Sequence, residues 1–285
     1  MALSQYSPYF YSFQFTLFTI TMNLSLIILT YNQPEALALI LKSAEQQSIW
    51  PDEVIIADDG SGKETRNLVK SWQKKFPVPL HHVWHKDKGY RITAIRNLAV
   101  KKSAGEFLIF SDGDLFFHPR FIEDFKRNMK KGKALIGSRV FLTQSATRLR
   151  LRDERIDPVY PLFSEEIEAN RLNSIRLPFV NRLLKTLKFS ANIRGGLSGI
   201  WRKDLESING WNEEFEGWGL EDTEFIARLF HSGVSIRKIK FQALTYHLWH
   251  MKQTQKQASQ NQKLLRNTID NKLIRCKKGL VDYPE

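Results

Sequence analysis

The sequence predicts an α/β protein with a mostly parallel central sheet flanked by helices, and three observations carry that prediction. Apolar runs of strand length, LSLIILTYN (24–32), DEVIIADDGS (52–61), PLHHVWH (79–85) and GEFLIFSDGD (105–114), alternate with stretches of helical periodicity. The run at 24–32 lacks the in–out alternation of a half-exposed strand, so it reads as buried on both faces, as parallel strands are. Three runs end in polar residues, Thr30 and Asn32, Asp58 and Asp59, Asp112 and Asp114, at the edge where open α/β sheets bind ligands.

Between the strands, residues 34–47 place Leu37, Ile40 and Leu41 at helical spacing, with Pro34 in the first turn. Leu68, Val69 and Trp72 mark a second helix, and Ile92, Ile95 and Ala99 a third in ITAIRNLAVKKS. Crossovers of this length are right-handed. Residues 143–194 are a different, basic text containing RLRLRDER. In NRLNSIRLPFVNRLLKTLKF (170–189), Leu172, Ile175, Leu183, Leu184 and Leu187 interleave with Arg171, Arg176, Arg182, Lys185 and Lys188. Such a segment suits an anionic membrane surface or an acceptor. It equally suits a helix that covers the protein's own core, although Pro178 interrupts the pattern. From 195 the text reads as turns, a helix at about 221–232, and strands in VSIRKIKFQALTYHLWH. The tail, 251–285, carries Leu264, Leu265, Ile269 and Leu273 on a weak helical stripe. The expected organisation is therefore a leader at 1–21, a first α/β half at 22–142, the basic variable segment at 143–194, a second ordered half at 195–250, and the basic tail at 251–285.

The bulk numbers bound the function. In 285 residues the apolar fraction of 42% is ordinary for a soluble globular protein. The single cysteine, Cys276, excludes an intrachain disulfide and fits a reducing compartment. A formal charge of +13 points to polyanionic partners: nucleic acid, anionic membrane or phosphorylated substrates. No apolar stretch is long enough to span a bilayer. Residues 1–21 lack the basic start and cleavage site of a signal peptide, so the expectation is that Met22 is the natural start and that the chain is cytoplasmic, peripheral at the membrane face.

Four groups of residues could carry chemistry. Asp112 and Asp114 flank Gly113 at a strand end, where carboxylates can hold a hard divalent cation, Mn²⁺ or Mg²⁺, and through it a diphosphate. DGD alone is an ordinary turn; its place after a buried strand favours the metal. In GWGLED (217–222) two glycines allow a sharp bend around Trp218, and Glu221 and Asp222 open a helix whose dipole favours an ionised carboxylate. His247 and His250 offer imidazoles that suit Mn²⁺. Arg91 in DKGYRITAIRN can clamp phosphate, while Arg96 is open to a structural ion pair. His81, His82 and His85 read as plain strand and loop residues. No phosphate-binding glycine loop, serine elbow or zinc-type cysteine cluster is present.

Taken together, LSLIILTYNQPEAL, IIADDGS, KGYRITAIRN, FLIFSDGD and INGWNEEFEGWGLEDTEF resemble a family 2 glycosyltransferase of GT-A fold. The last stretch is similar to the C-terminal element of galactosyltransferases and of bacterial chondroitin-type polymerases. The resemblance covers residues 22–142 and 195–250, and implies that the first is the nucleotide-sugar-binding half and the second the acceptor-binding and catalytic half. It implies an inverting transferase that uses a nucleotide-diphosphate sugar, usually UDP-linked, with Mn²⁺ or Mg²⁺. It places Thr30, Tyr31 and Asn32 around the base, Asp59 on uracil, Arg91 by the diphosphate, and Asp112 with Gly113 near ribose and metal. Asp114 becomes the principal metal ligand, with Asp112 beside it and one of His247 and His250 completing the site. Asp222 becomes the catalytic base, with Glu221 and Trp218 touching acceptor or donor. RGGLSGIWRKD has only Gly and Leu where the family often has Asn. The implied partners are a nucleotide-sugar donor, a glycan or lipid-linked glycan acceptor and an anionic membrane surface, with no nucleic acid. A nucleic-acid-binding protein is the competing class on charge alone, but no such module appears. A nucleotidyltransferase would not need the acid pair of GWGLED.

Overall fold

The structure is a computed structural model and describes residues 23–159, 163–180, 186–190, 193, 195–251 and 258–282. The leader at 1–21 and the cations Arg182 and Lys185 lie outside the described residues. The first half runs β1 (Leu24–Thr30), α1 (Pro34–Glu45), β2 (Glu53–Asp58), α2 (Lys63–Gln73), β3 (Leu80–Trp84), α3 (Ile92–Lys102), β4 (Phe107–Ser111) and β5 (Leu115–Phe117). It continues with α4 (Phe121–Asn128), β6 (Lys133–Ile136), β7 (Ser138–Leu142), α5 (Gln144–Asp153) and β8 (Ile167–Ala169). Then follow β9 (Leu197–Trp201), α6 (Arg202–Ser207), α7 (Glu221–His231), β10 (Ser235–Lys238), β11 (Leu244–His247) and α8 (Ala258–Asp270).

The main sheet has the order β10-β6-β9-β4-β1-β2-β3. β1 is buried at every residue because α1 and α2 cover one face and α3 and α7 the other. Leu26 and Ile28 pack with Leu37 and Trp72, while Ile27 and Leu29 pack with Ile95 and Phe225. β1 pairs in parallel with β2 and β4, and β2 with β3, as the alternation of strands and helices requires.

One element departs from expectation. LSGIW, expected among turns, is β9, antiparallel to both β4 and β6 in the middle of the sheet. Its glycine is a packing residue: a Cβ on Gly199 would come within 2.7 Å of the Phe107 ring and 2.8 Å of the Phe125 ring. The stretch from 195 thus shares a core with residues 24–136.

A second sheet, β5-β11-β7-β8, stands beyond the tip of β4. β11 runs antiparallel to β5, pairing His247 with Leu115, and parallel to β7. That register carries the C-terminal histidines to the residue after Asp114.

The basic segment is not an amphipathic helix among the described residues. α5 occupies the start of the segment, and the stretch at 170–189 has a 3-10 turn at Arg171–Ser174 but no α-helix among its described residues, consistent with the Pro178 interruption. Arg171 donates to the carbonyls of Ser164 and Ile167, and Arg176 grips buried Asp124 at 2.6 and 3.1 Å. Of the cations expected to face a membrane, Arg176 therefore holds the segment to the body, and Arg171 ties the segment to itself.

Candidate active site

A cavity of about 550 Å³ opens beyond the carboxyl ends of β1, β2 and β4. Thr30, Tyr31, Asp59, Asp112, Gly113, Asp114, Trp218, Glu221, Asp222, His247 and His250 all line it. The two halves of the sequence thus converge on one space.

The turn after β4 explains the DGD spacing. A Cβ on Gly113 would collide with the Leu29 carbonyl oxygen, so only glycine lets the two aspartates diverge there. Asp114 turns toward β11. Its Oδ2 lies 3.3 Å from His247 Nε2 and 3.2 Å from His250 Nε2, and one ligand atom from each of the three residues falls within 4.8 Å of the others. The Leu248 N–H donates to the Asp114 carbonyl at 2.9 Å and fixes the approach.

Asp114 Oδ1 is buried without a partner. A carboxylate with one oxygen facing two imidazoles and the other orphaned fits a divalent cation by donor chemistry. Burial works to raise the Asp114 pKa, but the His250 hydrogen bond and the charges of His247 and Arg139 outweigh it and hold the carboxyl below its usual range. The hydrogen bond to Asp114 lifts His250 to about 9, whereas burial pushes His247 down.

Asp112, expected as a further ligand, lies outside that cluster. Its Oδ1 accepts from Arg96 at 3.2 Å and its Oδ2 from Arg139 at 2.9 Å. Burial raises it to about 6 against the opposing pull of both arginines. The two carboxylates are therefore compensated differently: Asp112 by arginines from α3 and β7, Asp114 by the two histidines.

Arg96 also reaches the other wall. Its second arm donates to Asp222 Oδ1 at 2.7 Å, and the fully buried guanidinium stands 5.3 Å above the Trp211 ring. Burial opposes its charge, but Asp222 and Asp112 more than offset that and keep it protonated.

Asp222 is the second residue of α7, and no side chain caps that helix. The preceding turn is unusual: Gly217, Gly219 and Leu220 have φ of +68, +118 and +74°. It sets Trp218 at the mouth, 39% exposed, and turns Glu221 back so that its Oε2 accepts from Gly219 N–H at 2.9 Å. Burial, reinforced by Asp222, raises Glu221 to about 7.

On the β1–β2 side, Thr30 presents a buried hydroxyl without a partner, and Tyr31 donates to Asp87 at 2.9 Å. Asp59 is held by His85 at 2.6 Å and by the Arg91 N–H at 3.0 Å. Two expected base- or phosphate-side residues do not line the cavity. Asn32 adopts φ +49° and ties two loops, donating its N–H to Ser61 and accepting from Gly62. The Arg91 side chain donates to the Lys86 carbonyl at 2.8 Å.

Sequence reasoning missed Arg139, Tyr90 and His85. Tyr90 lines the cavity, and burial pushes its phenol well above its usual range; its place inside KGYRITAIRN was the available signal. Arg139 had none, because only the pairing of β7 with β11 brings it near.

This architecture is the GT-A fold. A model described as glycosyl transferase family 2 matches residues 25–200, more than half of the chain. The chain belongs to glycosyl transferase family 2. As a family 2 chain it carries a second match, at residues 180–253, to a model described as the N-terminal domain of galactosyltransferase. Chondroitin synthase from Escherichia coli is 28% identical over 240 residues, covering 79% of this chain and 34% of that protein. This family 2 chain thus spans about a third of that relative. Among solved structures, S. aureus TarS 1–349 in complex with UDP-GlcNAc superposes with a TM-score of 0.64 at 18% identity, covering 92% of this chain and 69% of that one. A mannosyltransferase from Pyrobaculum calidifontis in complex with GDP-Man and Mn²⁺ gives 0.57 at 17% identity, covering 82% and 59%. At such identity these two speak for the fold.

Proposed function

We propose that this chain is an inverting transferase that moves a sugar from a nucleotide-diphosphate donor, a UDP-sugar, to a hydroxyl of a glycan or lipid-linked glycan, assisted by Mn²⁺ or Mg²⁺. The observation that carries the reading is the facing of two groups across one cavity: the Asp114–His247–His250 cluster and the Asp222 carboxylate. The TarS and mannosyltransferase complexes, with a nucleotide sugar in each and Mn²⁺ in one, support the donor class and the metal.

Asp114, His247 and His250 would hold the cation, which when bound neutralises charge growing on the leaving diphosphate. Thr30 and Asp59 face the nucleotide. Asp222, at the dipole-favoured start of α7, takes the proton of the acceptor hydroxyl as that oxygen attacks the anomeric carbon. Glu221 and Trp218 contact the sugar rings. With a base on one face and the diphosphate departing from the other, attack is in line and the anomeric carbon inverts. Holding both substrates in one cavity removes much of the entropic barrier.

Asp222→Asn tests the assignment. It should keep UDP binding in Mn²⁺ and lower turnover by about 10²- to 10⁴-fold. Near-wild-type turnover, read from a panel of nucleotide sugars with Mn²⁺, Mg²⁺ or chelator, would reject it.

Peripheral docking at the cytoplasmic membrane face belongs to the same proposal. No helix among the described residues is long and apolar enough to cross a membrane, yet Phe163 and Phe179 in the basic segment are 95% and 84% exposed. Flotation with anionic vesicles should weaken in Phe163→Ser/Phe179→Ser; unchanged flotation removes the membrane from the account.

A further inference from the structure

The turn that presents Trp218, Glu221 and Asp222 makes few bonds to itself. Its conformation is costly, with Leu220 a non-glycine residue at φ +74°. Two of its carbonyls, Glu216 and Gly219, point away from the cavity into α8, which lies beyond both family-matched stretches.

There they meet Asn261. This side chain, in a residue 1% exposed, donates its amide to Glu216 O at 3.1 Å and to Gly219 O at 3.0 Å. Both neighbours are acceptors, so the amide nitrogen is the atom that faces them. Gly219 is thereby held at both ends, its N–H by Glu221 and its carbonyl by Asn261.

The rest of the C-terminal stretch fixes α8 in place. Thr268 donates to Glu224 of α7 at 3.1 Å, Leu265 is buried, and His231 is hydrogen-bonded to the Leu273 carbonyl at 2.9 Å. Farther on, the Glu213 N–H donates to the Lys278 carbonyl at 3.1 Å. The region that supplies the base is thus bonded to the tail on either side of the turn.

We infer that Asn261 is a positioning residue and that α8 is a built-in brace which sets where Glu221 and Asp222 stand. The consequence for turnover rests on the transferase reading above; the brace itself does not. Without the two amide bonds, the Glu216 and Gly219 carbonyls lose their buried partner and the turn relaxes. The donor side, built on β1, β2 and β4, has no bond to Asn261 and should not respond.

The test uses the full chain with Asn261→Asp, which keeps the volume but offers carboxylate oxygens to two carbonyls, and Asn261→Ala as the variant without that repulsion. Hydrogen exchange should accelerate about tenfold or more in a peptide covering 214–222, while peptides from β1 and β4 keep their protection. With UDP-GlcNAc and Mn²⁺ as probes, hydrolysis should lose about tenfold in kcat at unchanged KM, with unchanged UDP affinity by calorimetry. Unaltered exchange at 214–222 in both variants would overturn the brace. So would a parallel loss of UDP affinity, which would mark general loosening of the fold. The exchange arm reads the turn without catalysis, so absence of turnover in the wild type would tell against the transferase reading alone.

Discussion

Arg96 shows how much one side chain can organise. It is buried and bridges Asp112, on the β4 side, to Asp222, on the α7 side. Removing its charge leaves those two carboxylates facing each other in a closed space, with Arg139 remaining for Asp112 alone. Arg96→Met should therefore lower stability by about 3 kcal/mol or more in chemical denaturation. Arg96→Lys keeps a charge but cannot reach both acids with a planar fork, so it should recover stability better than turnover. Equal recovery of both would show that the bridge only compensates charge. Glu221 supplies a pH signature. Its pKa in the folded protein is raised from the ordinary glutamate value to about 7, so its contribution to stability is fully present at low pH and is lost as pH rises through 7. Glu221→Gln lacks that loss. The melting temperature of the wild type should fall relative to Glu221→Gln between about pH 4.5 and pH 7 and run parallel to it above that range; curves parallel throughout would contradict the assignment.

At the scale of elements, the parallel strands were legible because their signals are local: buried apolar runs, helical periodicity between them, polar ends. β9 was not, because Leu-Ser-Gly-Ile-Trp after a pair of glycines looks like turn sequence until Phe107 and Phe125 are seen to occupy the missing Cβ space. Asp114, His247 and His250 stand out in the sequence, but their grouping does not, nor does the exclusion of Asp112 from it. His247 and His250 reach Asp114 only through the pairing of β11 with β5, which no spacing in the chain records. Arg139 arrives through β7 by the same route. Asn32 and Arg91 failed as wall residues for a related reason: motif position gives the loop, while the loop's own hydrogen bonds decide where a side chain points. The approach to β9 carries a prediction of its own. A Cβ on Gly196 would run into the Asp112 carboxylate. Gly196→Ala should push that acid from its arginines and reduce turnover by about 10²-fold, the cost of roughly an ångström of misplacement. A variant with wild-type kcat/KM would mean that the site tolerates movement of Asp112.

For the molecule as a whole, part of the positive charge serves the fold. Several of its cations are structural: Arg150 pairs with Glu166, Arg228 with Glu224, Arg176 with Asp124, and Arg202 donates to backbone carbonyls around Gly105. What bears on function is where opposite halves of the chain meet. Asp114 follows β4, its histidines follow β11, and Asp222 opens α7; one ligand filling that cavity would tie all three segments together. A ligand that binds only the folded state stabilises it by mass action, by about 2.7 kcal/mol at a hundredfold excess over Kd. For a chain of this size that corresponds to a rise in Tm of about 5 °C or more. UDP with Mn²⁺ should therefore raise the melting temperature well beyond UDP alone, and a chelator should cancel the difference. Asp114→Asn should abolish the metal-dependent part, because the orphaned oxygen and the histidine-facing oxygen belong to one carboxylate. Asp222→Asn should retain it, because that acid lies outside the Asp114–His247–His250 cluster. A rise of equal size with and without metal in the wild-type protein would mean that the Asp114–His247–His250 cluster holds no cation that the nucleotide needs.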